Sequence, residues 1–288
     1  MFKGAITAIV TPFNQDGSLD EESLRKLVDF QIKNKIDGIV PCGTTGESPS
    51  LNEKEYFEVV KTVIDSASGK VPVIAGAGSN STEHAIEMTK KADELSADAV
   101  LHVCPYYNKP TQEGLYMHFS EIARAVDIPI IIYNIQGRTA VNMETSTLAR
   151  LTKEYSNIVG VKEASGNVAQ IMDVINELPK NFTVLSGDDN LTLPLMALGG
   201  KGVISVASNI IPKEMHELTQ YALNGDFEKA KQMHYKLLPL FKGIFIETNP
   251  IPIKAALAMK GMIKEIYRLP MCEMRGENKE KLRGILDD

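Results

Sequence analysis

From residue 4 to about residue 225 the chain repeats one unit: a short β-rich run, a turn, then an amphipathic helical pattern. The β runs fall at 4–10, 38–43, 71–76, 99–104, 129–134, 158–163, 182–186 and 202–207. Helical patterns follow at 21–35, 52–68, 82–96, 114–126, 143–155, 168–179, 191–199 and 212–224. Helix starts carry capping residues, such as Asn52 with Glu55 and Ser81 with His84, and Asn224-Gly225 is a natural stop. Eight alternations predict a (β/α)8 TIM barrel closed by right-handed crossovers. The rival is a doubly wound open sheet, which usually has fewer strands and favours a glycine-rich first turn.

Beyond residue 225 the β runs stop. Residues 226–246 and 251–264 look helical, separated by Glu247-Thr248-Asn249-Pro250-Ile251-Pro252, whose prolines predict an extended elbow. The expected division is a catalytic barrel over 1–225 and a helical region over 226–288, packed on the barrel or on a neighbouring subunit.

Several function classes fall away on composition. A net charge of −6 with no basic stripe disfavours a nucleic-acid surface. No apolar run is long enough to span a bilayer, and Met1-Phe2-Lys3-Gly4 leads into a first strand without a signal-peptide cleavage pattern, so a cytoplasmic protein is expected. Cys42, Cys104 and Cys272 are odd in number and far apart, with no CxxC spacing, and the histidines form no HExxH, so neither a disulfide framework nor a metal site is expected. Nucleotide motifs are missing as well. Thr11-Pro12-Phe13-Asn14 is no GxGxxG, Gly76-Ala77-Gly78 lacks a third glycine, and Gly43-Thr44-Thr45-Gly46-Glu47 has no following Lys-Ser or Lys-Thr. Gly199-Gly200-Lys201-Gly202 reads as a helix-to-strand turn at the far end of the barrel.

Against this plain background Lys162 is the anomaly, a lysine inside Ile158-Val159-Gly160-Val161-Lys162-Glu163-Ala164. With period two, Ile158, Gly160, Lys162 and Ala164 share one face, while Val159, Val161 and Glu163 share the other. If the valines pack on helices, Lys162 aims into the barrel beside the space left by Gly160. Desolvation lowers a lysine pKa from about 10.4, and a neutral amine is the nucleophile that forms a Schiff base with a carbonyl. The competing reading is a structural lysine paired with a buried carboxylate.

Barrel chemistry sits at the carboxyl ends of strands. Those ends supply Thr44 and Thr45, then Tyr106 and Tyr107, then Tyr133 with Arg138 close behind, and Asp188 with Asp189. Turn chemistry, packing tyrosines and a solvated or capping aspartate pair are the ordinary readings of these residues. Taken together with Lys162, the hydroxyls can transfer protons and Arg138 can clamp a carboxylate through two parallel hydrogen bonds. This set suits carbon–carbon bond formation on a 2-oxo acid, with the amine doing the work that a metal does in other aldolases.

Nearly end to end, the chain resembles the dihydrodipicolinate synthase branch of the N-acetylneuraminate lyase family of class I aldolases. The likeness rests on Gly43-Thr44-Thr45-Gly46-Glu47, Pro105-Tyr106-Tyr107-Asn108, Tyr133-Asn134 with Gly137-Arg138-Thr139, Gly160-Val161-Lys162-Glu163-Ala164, Gly202-Val203-Ile204-Ser205 and the Glu247 to Pro252 segment. The resemblance implies that Lys162 forms an imine with pyruvate and that Tyr133, Thr44 and Tyr107 relay protons. Tyr107 would reach into a neighbouring subunit's site, which implies a dimer and commonly a homotetramer built as a dimer of dimers. Thr45 would hold the pyruvate carboxylate, and the Ile204 carbonyl would line the pocket. Arg138 would hold the carboxylate of L-aspartate 4-semialdehyde, the second substrate. No cofactor and no metal are implied, and the reaction would belong to the diaminopimelate and lysine pathway.

Two alternatives accompany that reading: a pyruvate aldolase acting on a sugar-acid aldehyde, and a non-catalytic carbonyl-binding paralogue, which would have no need of the whole relay. The chain also departs from the family's usual pattern. Gln136 replaces a proline and Cys104 a threonine. The implied lysine feedback site is Ser48, Pro49, Glu53, Tyr56, Asn80, His84 and Tyr106, in which Glu53 replaces a frequent histidine and His84 a frequent glutamate. Weak or absent inhibition by free lysine is therefore expected in a steady-state assay, and half-maximal inhibition at sub-millimolar lysine would contradict it.

Overall fold

The computed structural model describes residues 2–287. Eight parallel strands alternate with helices in the order β1 (Gly4–Ala8), α1 (Glu21–Lys33), β2 (Gly38–Val40), α2 (Glu53–Ala67), β3 (Ile74–Gly76), α3 (Thr82–Glu94), β4 (Ala99–Val103), α4 (Gln112–Ala125) and β5 (Ile130–Asn134). A one-turn α5 (Gln136–Thr139) and α6 (Thr145–Glu154) follow, then β6 (Ile158–Glu163), α7 (Val168–Glu177), β7 (Thr183–Ser186), α8 (Thr192–Ala197), β8 (Gly202–Ser205) and α9 (Pro212–Leu223). The sheet runs β2-β1-β8-β7-β6-β5-β4-β3. A parallel bridge between Ile39 and Val73 brings the two ends together, so the sheet is a (β/α)8 barrel. The glycine-rich 199–202 segment is the helix-to-strand turn into β8. There Gly202 has φ +150, and a Cβ would lie 2.0 Å from the Gly4 carbonyl oxygen, so only glycine lets β8 and β1 approach this closely.

Alternation along the strands builds two apolar layers. Ile6, Val40, Ile74, Leu101, Ile131, Leu185 and Ile204 fill the barrel. Ile130, Ile132, Val161, Val184 and Val203 face outward onto Leu27, Val60, Phe119, Ile122 and Leu148 of the helices. The lysine strand obeys this rule only in part. Its register against β5 slips, Ile130 pairing with Ile158 and Ile131 with Gly160, which makes Val159 a bulged extra residue. As a result Ile158 packs outward and Val159 packs against the inner layer, the reverse of strict alternation. From Gly160 onward the period resumes, and Val161 and Lys162 take the faces expected of them.

The C-terminal region adds α10 (Phe227–Gly243), α11 (Ile251–Met259) and α12 (Gly276–Asp287). Leu240, Phe241, Ile253 and Leu257 join the same apolar cluster as the barrel's outer face. The Glu247 to Pro252 segment is not an extended elbow throughout: α11 begins at Ile251, and Pro252 sits in its first turn, where a missing N–H leaves no bond unmade. Helix α12 carries no strong periodic signal because only Leu282 is buried along it.

Helix α11 also buries Lys254 completely, with its Nζ 2.5 Å from Glu47 Oε1, a carboxylate only 2% exposed. The same amine lies 4.4 Å from the centre of the Phe13 ring. This pair ties the Gly43 to Glu47 loop to the C-terminal helices. Removing one partner strands the other as an unpaired buried charge, so Lys254→Met is expected to cost about 3–5 kcal/mol in chemical denaturation. The Glu47→Gln/Lys254→Met double variant, with no charge left to strand, is expected to recover most of that loss; a double variant no more stable than the single would contradict the assignment.

Candidate active site

The loops at the carboxyl ends of the strands surround a small cavity of about 90 Å³, lined by Thr44, Thr45, Tyr133, Arg138, Lys162 and Asn249 among others. Lys162 is only 6% exposed. Its Nζ stands 4.1 Å from the centre of the Tyr133 ring, and among the described residues it makes no ion pair or hydrogen bond. Burial lowers its pKa to about 7, the Arg138 guanidinium acts in the same direction, and the Asp189 carboxylate opposes both. A neutral amine is thus well populated near neutrality. Burial also pushes the Tyr133 hydroxyl above its ordinary range, so it stays protonated and able to donate.

The residue that follows each of these two groups holds it in place. Tyr133 pairs with Lys162 across β5 and β6, and Asn134 pairs with Glu163 one step on. Asn134 Nδ2 donates to Glu163 Oε2 at 3.2 Å on the outer side of the sheet, while Glu163 Oε1 accepts from the Ser165 N–H at 2.7 Å. Asn134 Oδ1 accepts from the Met143 N–H at 2.9 Å, and its Nδ2 also donates to Asn142 Oδ1 at 2.9 Å. The inner residue of each pair therefore faces the cavity, while the outer one is bonded into the helix layer. At the end of the adjacent strand β7, Gly187 donates its N–H to the Glu163 carbonyl at 2.8 Å and lies close to the lysine stem: a Cβ there would stand 2.6 Å from Ala164 Cβ and 3.0 Å from Lys162 Cε. The missing side chain of Gly187 therefore leaves room for the lysine stem beside Ala164.

Thr45 is buried, and its Oγ1 accepts a hydrogen bond from Asn249 Nδ2 at 3.0 Å. Arg138 lies in α5, which replaces a plain loop with one helical turn, and its Nη2 donates to the Asn249 carbonyl oxygen at 3.3 Å. Gln136 opens that turn at its first helical position. Thr44 lines the cavity, although among the described residues no hydrogen bond joins its hydroxyl to Tyr133. Two sequence candidates stand elsewhere. Tyr107 has a left-handed backbone (φ +73) and is 89% exposed, outside the walls of its own chain's cavity. Ile204 is fully buried in the inner apolar layer and is not among the cavity's lining residues.

Asp188 is a capping residue, accepting from the Asn190 N–H at 2.8 Å. Its neighbour Asp189 is not a solvated turn residue. It is 1% exposed, its Oδ2 accepts from the Val206 and Ala207 N–H groups at 3.0 and 3.1 Å, and burial raises its pKa to about 6. Among the described residues no group of three or more His, Cys, Asp or Glu side chains is gathered as a metal site would need. Sequence reasoning missed Gly187, Asn249 and the roles of Asp189 and Glu163. The strand-end reading named Asp189 but not its backbone contacts, and Gly187 stands at the same strand end; nothing in the sequence marks the contacts of Asn249.

A desolvated lysine on β6, facing the mouth of a parallel barrel beneath a tyrosine, defines an amine-nucleophile enzyme site. The chain belongs to the dihydrodipicolinate synthetase family, whose sequence model matches residues 1–288. A curated 4-hydroxy-tetrahydrodipicolinate synthase from Hydrogenobaculum sp. is 54% identical over 99% of this chain and 98% of its own length. The crystal structure of dihydrodipicolinate synthase from Aquifex aeolicus superposes with a TM-score of 0.98 at 51% identity, covering 99% of this chain and 97% of that one. The dihydrodipicolinate synthase of Acinetobacter baumannii complexed with pyruvate gives a TM-score of 0.98 at 46% identity, covering 100% of this chain and 98% of that one. With these relatives, the chain is an enzyme of the lyase class.

If Gly187 shapes the wall behind Lys162, Gly187→Ala is expected to cost about 1–3 kcal/mol by overpacking. It is also expected to slow reductive trapping of a keto acid on Lys162 by roughly tenfold to a hundredfold, because the amine is displaced from its line of approach. Trapping at the unaltered rate in a folded variant would contradict this.

Proposed function

We propose that this protein condenses pyruvate with L-aspartate 4-semialdehyde, acting as a 4-hydroxy-tetrahydrodipicolinate synthase in the diaminopimelate and lysine pathway. The observation that carries this reading is Lys162, whose amine is desolvated, lacks a carboxylate partner and faces the cavity beside Tyr133. Family membership and the names of the relatives support it.

The neutral Lys162 amine attacks C2 of pyruvate, and loss of water from the carbinolamine gives the imine. Proton loss from C3 converts the imine to an enamine, whose C3 attacks the aldehyde carbon of the semialdehyde. The substrate's own amine then attacks the imine carbon, closes the ring and displaces Lys162. Tyr133, Thr44 and Tyr107 move the protons; the raised pKa of Tyr133 keeps its hydroxyl available as a donor. Thr45 holds the pyruvate carboxylate, and Arg138 forks the carboxylate of the second substrate. No cofactor is needed beyond the covalent imine.

The 89% exposure of Tyr107 supports its acting in the site of a second copy, in a dimer that pairs further into a homotetramer. The chemistry belongs to the barrel of residues 1–225, and the helical region of residues 226–288 supplies Asn249 to its cavity. Among the described residues no helix is long and apolar enough to cross a membrane. We place the enzyme in the cytoplasm.

Purified protein mixed with both substrates is expected to give, by mass spectrometry, a product that a dihydrodipicolinate reductase consumes, and Lys162→Ala is expected to give none. With pyruvate alone, borohydride should fix the adduct on the Lys162 peptide, at a rate that rises with pH through about 7 as the amine loses its proton and then levels off. Recovery of unmodified Lys162 at saturating pyruvate would overturn the imine. A trapped adduct without condensation would keep the amine chemistry and shift the second substrate to a sugar-acid aldehyde.

A further inference from the structure

A hydroxyl group has one hydrogen to donate and two lone pairs with which to accept, so the partner it meets first decides what it can offer a ligand. Thr45 is buried at 3% exposure, and its Oγ1 already accepts from Asn249 Nδ2 at 3.0 Å. One lone pair is thereby occupied and the hydrogen is left over. In a cavity that also holds Lys162 and Arg138, that hydrogen is available to an anion.

We infer that Asn249 is a positioning residue that sets Thr45 as a hydrogen-bond donor to the carboxylate of the keto acid, and so governs affinity for that substrate in particular. The inference deepens the proposed reaction and rests on Thr45 as the carboxylate holder. Three observations carry it. Asn249 is itself only 4% exposed and lines the same cavity, although it comes from the turn before α11, outside the barrel strands. Its two contacts with the site use different atoms: the side-chain Nδ2 engages Thr45, while the backbone carbonyl engages Arg138 Nη2 at 3.3 Å. Its Oδ1 is buried without a partner, so among the described residues the bond to Thr45 is the one hydrogen bond its side chain makes. Turning the amide over would leave Nδ2 unpaired and make Thr45 spend its hydrogen on Oδ1.

The division between side chain and backbone makes the role separable. A substitution at position 249 removes the restraint on Thr45 and keeps the carbonyl that holds Arg138. Asn249→Asp has nearly the same shape, but its carboxylate accepts the Thr45 hydrogen and turns the hydroxyl away from the ligand. Asn249→Ala merely frees the hydroxyl to rotate.

The experiment measures the pyruvate concentration for half-maximal borohydride trapping on Lys162, and separately the KM for each substrate in the full reaction. A bond from a neutral donor to a charged ligand is the one lost in Asn249→Asp, so half-saturation by pyruvate is expected to rise about tenfold or more, and about two- to fivefold in Asn249→Ala. The KM for the semialdehyde is expected to stay within about twofold in both, since the Arg138 contact is unaltered. Charge repulsion alone would also weaken pyruvate binding, so Asn249→Asp is repeated in a Thr45→Val background. If Asn249 acts through Thr45, the two substitutions are strongly non-additive there.

Full additivity, an unchanged pyruvate half-saturation, or equal rises for both substrates would each overturn the inference. If Asn249→Asp does not fold, the Asn249→Ala shift and its loss in the Thr45→Val background decide the matter alone. If the unaltered protein traps no pyruvate on Lys162, the reaction itself is misread and this inference falls with it; that outcome is visible before any variant is compared.

Discussion

An ammonium group removed from water with no carboxylate beside it is costly, and the protein can avoid that cost only by letting the amine go neutral. Lys162 is in this position, and the surrounding architecture keeps it so. The barrel wall excludes solvent, Arg138 adds a like charge nearby, and Asp189, the carboxylate that acts on it, has its Oδ2 turned to the backbone N–H groups that follow β8. Lys254 is the counter-example within the same chain. It is equally buried, but it has Glu47 at 2.5 Å. Burial lowers the pKa of both lysines, but at Lys254 a directly bonded carboxylate opposes the shift, whereas Lys162 has no bonded carboxylate.

That difference explains how the rest of the site is arranged. Lys254 and Glu47 secure the loop that carries Thr44 and Thr45, while Asn249 reaches back from the turn before α11 to touch both Thr45 and Arg138. The helical region after the barrel is therefore part of the site's frame and not only an outer layer. On the other side, the Asn134–Glu163 bond fixes the two strands that present Tyr133 and Lys162. Each reactive residue points inward, and its sequence neighbour is bonded outward.

Much of this was legible in the sequence because it depends on periodicity. Eight strand-helix alternations give the barrel, and period two places Lys162 opposite Val161. The bulge at Val159 was not legible, since a register slip depends on the neighbouring strand and not on the residues of the strand that slips. Helix α12 escaped notice for lack of a buried stripe, and the partner of Lys254 lies far away in the sequence, at Glu47. Gly187 and Asn249 act through distances that only the folded chain creates: one by lacking a Cβ, the other through a single amide. Tyr107 is the instructive case among the named site residues, since its exposure leaves the site of a single chain without it.

The most direct test of this account is the ionisation of Lys162 itself, followed by NMR on protein carrying 13C at the lysine ε-carbons and assigned by comparison with Lys162→Ala. The account predicts one resonance, lost in that variant, that titrates at about 7. A Lys162 resonance titrating near the ordinary lysine value of about 10.4 would show a solvated or paired ammonium and would contradict it.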